Sequence, residues 1–192
     1  MLSNVRTSVK EAPPTFKELR RAYGFDEVAI VPGDVTINPE QVDTSLRIGQ
    51  HEFTIPVLAA AMDAVVDPHY AVLLSGMGGL AVLNLEGVHT RYPNPSEVLD
   101  EIARASQESV IPLLQQVYSA PIREELIGQV VRAIKGGGGV CAVSVTPANT
   151  KHFAPLAIEA GADIIVVQST VTTARHISKS PRGLDISDIC RS

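Results

Sequence analysis

Five short, continuous apolar runs constrain this chain more than any other feature. They cover residues 56–61, 80–83, 110–114, 140–145 and 164–167. Continuous rather than alternating runs are the pattern of strands buried on both faces. Helical signals separate most of them. Asp67 stands as an N-cap with Pro68 at the first helical position, and that helix is expected to stop near Gly76. Asn94, Pro95 and Glu97 have the spacing of a capping box, with Val98, Leu99, Ile102 and Ala103 as an apolar stripe. Pro121 opens a pattern in which Leu126, Ile127, Val130, Val131 and Ile134 recur at helical spacing. A further helix is expected to bury Phe153, Leu156, Ala157 and Ala160 and to end at Gly161. Strand, helix, strand in repetition is α/β architecture with a parallel sheet. Periodicity alone leaves a closed barrel and an open doubly wound sheet both available.

The chain has 192 residues, enough for one core but short of the ~250 of a full eight-fold barrel. Residues 1–14 read as a flexible polar tail and residues 15–23 as a short helix closed by Gly24. Residues 25–55 carry turn signals at Pro32-Gly33 and Asn38-Pro39 and are expected to hold short strands covering one end of a core. A net charge of −5 without a basic cluster argues against nucleic acid as a partner. No apolar run reaches the ~18–20 residues of a membrane helix, so no membrane partner is expected. Lys10, Glu11, Lys17 and Glu18 interrupt the start where a signal peptide needs an apolar core. With only Cys141 and Cys190, a disulfide framework or zinc site is not expected, and the cytoplasm is the expected compartment.

The glycine clusters at 76–79 and 136–139 follow helices and precede strands. A dinucleotide-binding loop has the opposite order, so both read as turns feeding buried strands. The polar residues just past the apolar runs carry more chemistry: Met62 with Asp63, Asn84 with Glu86, Ser144 with Thr146, and Gln168, Ser169 and Thr170. Parallel α/β folds bind ligands beyond the carboxyl ends of their strands. His51, His69, His89, His152 and His176 are scattered without metal-ligand spacing, and no Gly-x-Ser-x-Gly elbow occurs. The basic stretch 175–182 reads as a solvated loop or as a contact for a nucleotide phosphate.

The stretch from Ile55 through Met62-Asp63 to Val65 resembles the IMP dehydrogenase / GMP reductase family, which carries Pro-hydrophobic-Ser-Ala-x-Met-Asp-x-Val on its first barrel strand. Residues 23–28, 31–33 and 42–45 are similar to the family's entry segment, 78–83 to its second strand and 160–169 to its fourth. The resemblance implies a (β/α)₈ TIM barrel, present here as a truncated N-terminal half-barrel. It implies a tail and short helix over 1–22 and the barrel domain over 23–192. A strand-helix insertion is expected at about 110–139, where relatives insert CBS regulatory domains.

The same resemblance implies a purine 5′-monophosphate substrate and a nicotinamide dinucleotide cofactor, NAD or NADP. Met62 falls where the family packs a methionine against the base, Ala60 beside it lines the nucleotide site, and Glu86 is placed with them on the substrate side. Thr146, Gln168 and Ser169 fall on the cofactor side. Ala59 stands where the family usually has serine, and Gln168 where it uses an aspartate on the cofactor. The branch resembled lacks CBS domains and has Glu-Gly-Val-x-Thr-Arg-Tyr, here residues 86–92. The expected reaction is oxidation of IMP to XMP with NAD; the alternatives are reduction of GMP to IMP with NADPH, or a non-catalytic half-barrel binding module. The family's catalytic cysteine lies on a glycine-rich loop after the sixth strand, so no catalytic residue is expected in this chain, and 1–192 alone is expected to be inactive. The full-length form is expected to be a homo-oligomer. An aldolase-like barrel is the rival enzyme, but it needs a lysine at a strand end, and none stands there.

Overall fold

The structure is a computed structural model that describes residues 19–169 and 185–191. Its contacts divide the chain into two units, Met1–Val42 and Asp43–Ser192. In the first unit the described residues have no regular secondary structure apart from single 3₁₀ turns at Phe25–Glu27 and Pro39–Gln41. The helix expected over 15–23 is absent from its described part, 19–23; residues 15–18 lie outside the described residues. Leu19 and Tyr23 are exposed, and a short helix with no buried face is only marginally stable.

The second unit begins with an antiparallel hairpin of β1 (Leu46–Ile48) and β2 (His51–Phe53). A parallel sheet follows in the order β3 (Leu58–Ala59), β4 (Leu80–Asn84), β5 (Ala142–Val145) and β6 (Ile164–Val167). Each strand pairs with the next in sequence: Leu58 with Leu80, Val82 with Ala142, and Ala142 with Ile164. The helices are α1 (Pro68–Gly76), α2 (Pro95–Arg104), α3 (Val110–Ser119), α4 (Glu124–Gly136), α5 (Thr150–Ala160) and the short α6 (Ile186–Ile189).

Burial on both faces explains the continuous apolar runs of β4 and β5, whereas the outer strands β3 and β6 are half-buried or exposed. Ala81, Leu83, Val143 and Val145 pack with Leu74, Ile127, Val131, Ile134, Phe153 and Ala157 of the helices. Leu80, Val82 and Ala142 face the other way, onto Phe53 with Leu46 and Ile48 of the hairpin. The hairpin therefore covers one end of the core, as the sequence suggests. Burying a side chain the size of Ile127 contributes about 1.5–3 kcal/mol.

Local signals hold in most places. Asp67 caps α1, its carboxylate accepting the Tyr70 N–H at 2.6 Å. Both glycine clusters are turns into strands. Gly78 has φ +86°, and a Cβ there would lie 1.9 Å from the Thr54 hydroxyl. Asn94 is the N-cap residue of α2, but its side chain makes no cap bond; its amide donates to Glu97 at 3.5 Å instead.

The run 110–114 is not a strand. It opens α3, because Val110, Leu113, Leu114 and Val117 fall at helical spacing and turn toward the protein. Three helices thus lie between β4 and β5. Only α4 covers the sheet, contributing Leu126, Ile127, Val130, Val131 and Ile134 as buried residues. α2 buries none and α3 only Val117. The element beyond a simple βαβ repeat is therefore the helix pair α2–α3, not a strand-helix pair over 110–139.

Opposite the strand ends that would carry a ligand, Asp163 ties several elements together. Its carboxylate accepts Lys135 Nζ at 2.9 and 2.8 Å and the Cys141 backbone N–H at 2.8 Å, with His51 Nε2 at 3.8 Å. Burial alone would raise its pKa. The Lys135 hydrogen bond and the Cys141 N–H, with the Lys135 and His51 charges, outweigh that and hold it below the ordinary aspartate value.

Candidate functional site

Parallel pairing puts the carboxyl ends of β3, β4, β5 and β6 on one side of the sheet. Ala60 and Met62 follow β3, Glu86 follows β4, Thr146 follows β5, and Gln168 and Ser169 follow β6. All six residues singled out from the sequence therefore stand at this rim. Thr170 and the basic stretch 175–182 lie outside the described residues.

Their surroundings differ. Ala60 is exposed and Met62 is 54% exposed, carried on a tight turn in which Met62 N–H bonds to the Ala60 carbonyl and the Met62 carbonyl accepts Val65 and Val66 N–H. Gln168 and Ser169 are exposed, and the Gln168 amide donates to the Ser144 hydroxyl at 3.2 Å. The Glu86 carboxylate, by contrast, is engaged at both oxygens. Oε1 accepts the Thr146 N–H at 2.6 Å and Oε2 the Asn149 amide at 2.7 Å. Glu86 thus clasps the loop after β4 to the loop after β5.

The stretch from Glu86 to Tyr92 is a knot of such ties. Asp63 Oδ2 accepts the Val88 N–H at 2.9 Å and the Tyr118 hydroxyl at 2.6 Å. Asp63 Oδ1 is buried with no partner and lies where a Cβ on Gly87 would come within 1.8 Å. Only glycine allows that approach. Thr90 donates to the Leu85 carbonyl at 2.7 Å, and Tyr92 to the Val117 carbonyl at 3.0 Å. Arg91 donates to the Glu86 carbonyl at 3.2 and 3.0 Å and to the Ala120 carbonyl, and its guanidinium lies 5.8 Å from the Tyr118 ring centre. Sequence reasoning marked Asp63 only as a polar residue past a strand and missed Tyr118, whose partner lies far away in the chain.

Cys141 does not belong to the rim. Cys141 is fully buried at the opposite end of β5, and burial, with the Asp163 charge, pushes its thiol up to about 12. A thiol held protonated is a poor nucleophile. Cys190 is exposed and follows α6.

Four parallel strands with helices on one face and a polar rim at their carboxyl ends make up the first half of a (β/α) barrel, a class of fold that carries its ligands at that rim. The pattern of the IMP dehydrogenase / GMP reductase domain matches residues 22–182, and the chain belongs to that family. An IMP dehydrogenase/GMP reductase-like protein from Corynebacterium glutamicum superposes with a TM-score of 0.80 at 28% identity, over 92% of this chain and 47% of that one. An uncharacterized oxidoreductase of Mycolicibacterium smegmatis is 33% identical over 172 residues, 87% of this chain and 46% of the relative. The inosine-5′-monophosphate dehydrogenase of Korarchaeum cryptofilum is 36% identical over 63 residues, 33% of this chain and 13% of that one. The chain spans about half the length of the full-coverage relatives it matches.

Proposed function

We propose that this chain forms the nucleotide-facing half of a nicotinamide-dependent oxidoreductase of purine nucleotides, of the IMP dehydrogenase type, acting in the cytoplasm as part of a homo-oligomer. The observation that carries the reading is the rim itself: an exposed methionine beyond the first strand of the sheet and a row of neutral polar groups beyond the third and fourth. In this reading Ala60 and Met62 meet the purine, and Thr146, Gln168 and Ser169 meet the cofactor. Met62 offers a soft apolar surface to a flat base. Glu86 serves the same site indirectly, because both its oxygens hold the neighbouring loop.

The cofactor-side residues are uncharged donors and acceptors, which suit the hydroxyl and amide groups of a nicotinamide nucleotide. That nucleotide, when bound, supplies hydride transfer. The chain's own residues hold and orient the two ligands, which is how positioning contributes to rate. Cys141 is buried and held protonated, which makes it a poor nucleophile; in this reading cysteine catalysis falls to a later part of such a barrel.

One observation favours the reverse reaction, reduction of GMP with NADPH. Gln168 stands at the end of β6 with no negative charge to repel a 2′-phosphate, whereas NAD sites commonly place a carboxylate on the ribose.

The test uses residues 1–192. IMP should perturb nuclear magnetic resonances of Met62 and the rim loops, while absorbance at 340 nm does not change with time with IMP and NAD or with GMP and NADPH. Absence of any purine-nucleotide perturbation at the rim would refute the binding role. Turnover abolished by Cys190→Ser would refute the division of labour.

A further inference from the structure

We infer that Tyr118, on the extra helix α3, is a positioning residue for the nucleotide side of the site: its hydroxyl fixes the Met62-Asp63 turn, and the contacts of Arg91 and Glu86 continue that tie to the loop bearing Thr146. The functional consequence rests on the purine-nucleotide reading above; the mechanical one does not.

Hydrophobic packing does not explain where Tyr118 sits. It is 40% exposed, and Val117 is the only buried residue of α3. Specific polar contacts hold it instead. Its hydroxyl donates to Asp63 Oδ2 at 2.6 Å, across 55 residues of sequence. A hydrogen bond to an ionised acceptor is about twice as strong as a neutral one. Burial, then the Asp63 hydrogen bond and charge, raise the phenol above its ordinary value against the opposing Arg91 charge, so it stays a donor at neutral pH.

Asp63 Oδ2 has two donors, the Tyr118 hydroxyl and the Val88 N–H, while Oδ1 has none. Removing the hydroxyl leaves the carboxylate on one hydrogen bond, free to turn away from its unsatisfied position beside Gly87. Met62 is the preceding residue of the same turn, so the set of its side chain is tied to that anchor through the backbone. The Tyr118 ring also lies under Arg91, which holds the Glu86 carbonyl, and Glu86 in turn holds the Thr146 N–H. Five residues from three strand-end loops and one inserted helix thus form a continuous set of contacts between the two halves of the proposed site.

The chain has three methionines, so ¹³C labelling of their methyl groups gives a sparse spectrum in which Met62 is assigned by Met62→Leu. Met77 follows the far end of α1, away from the rim, and serves as an internal control. Tyr118→Phe should shift or broaden the Met62 methyl signal and the Thr146 amide, leave Met77 unchanged, and weaken IMP binding roughly tenfold. Asp63→Asn should move the same two signals. An unchanged Met62 signal in both variants, with each folded by its Met77 signal, would overturn the inference. Equal IMP affinity for Tyr118→Phe and the native chain would overturn its functional consequence. If IMP perturbs nothing in the native chain, the nucleotide reading fails, while the ligand-free methyl shift still decides whether Tyr118 positions the turn.

Discussion

Replacing Asp163 by alanine tests what holds the end of the sheet opposite the rim. The Asp163 side chain is 14% exposed and receives Lys135 Nζ and the Cys141 N–H. Alanine leaves the Cys141 N–H buried without its acceptor, which costs about 1–3 kcal/mol. Lys135 is 39% exposed and can turn into water, so loss of the ion pair adds at most about 1 kcal/mol. The expected loss is about 2–3 kcal/mol at pH 7, read from urea unfolding of both proteins. Asp163→Asn keeps an acceptor for the N–H and should cost about 1 kcal/mol. The pH dependence follows from the lowered folded-state pKa. Such a group contributes stability that is present above its unfolded pKa and lost as pH falls through the lower folded value. The gap between the native chain and Asp163→Asn should therefore be full at neutral pH and close under strongly acidic conditions. A loss under about 1 kcal/mol for Asp163→Ala would refute the reasoning. So would a gap that persists down to about pH 2.

Gly87→Ala should cost about 2 kcal/mol or more in thermal or urea unfolding and displace the Met62 methyl resonance, because its Cβ collides with Asp63 Oδ1. A thiol reagent at neutral pH should modify Cys190 quickly and Cys141 only on unfolding, since Cys141 is buried with a thiol pushed up to about 12; two equally fast thiols would contradict this. The apolar surface left open at Val57, Leu58, Met62 and Val65 should make residues 1–192 self-associate in size-exclusion chromatography, and a strictly monomeric profile across concentration would count against it.

Much of this was legible in the chain. The runs that became β4 and β5 are almost wholly apolar, Ser144 apart, because helices cover one face and the hairpin residues pack on the other; β6 is apolar throughout but half-buried. Asp67-Pro68 and Gly161 mark helix ends by local chemistry alone. The run 110–114 misleads because five apolar residues in a row fit a buried strand and a helix start equally well. Arbitration needed the Gln115, Gln116, Val117, Tyr118 continuation, where the period becomes helical. The rim positions were readable because parallel topology fixes which end of each strand they occupy. What they touch was not. The Tyr118 to Asp63 bond and the Asp163 clasp join residues far apart in sequence, and no local pattern announces a partner. Glu86 carries the same lesson: a carboxylate past a strand end suggests a ligand, yet its two oxygens hold Thr146 and Asn149.

The excursion that holds α2 and α3 begins and ends at nearly one point, since the Arg123 N–H donates to the Thr90 carbonyl at 2.8 Å. A segment whose two ends are already joined is a graft point. Its contents can be exchanged for something larger, smaller or absent while the sheet beneath keeps its register, because almost nothing in the graft lies in the core. Whatever is held there leaves from the carboxyl end of β4, on the rim side of the sheet, so a change in the graft reaches the rim before it reaches the core.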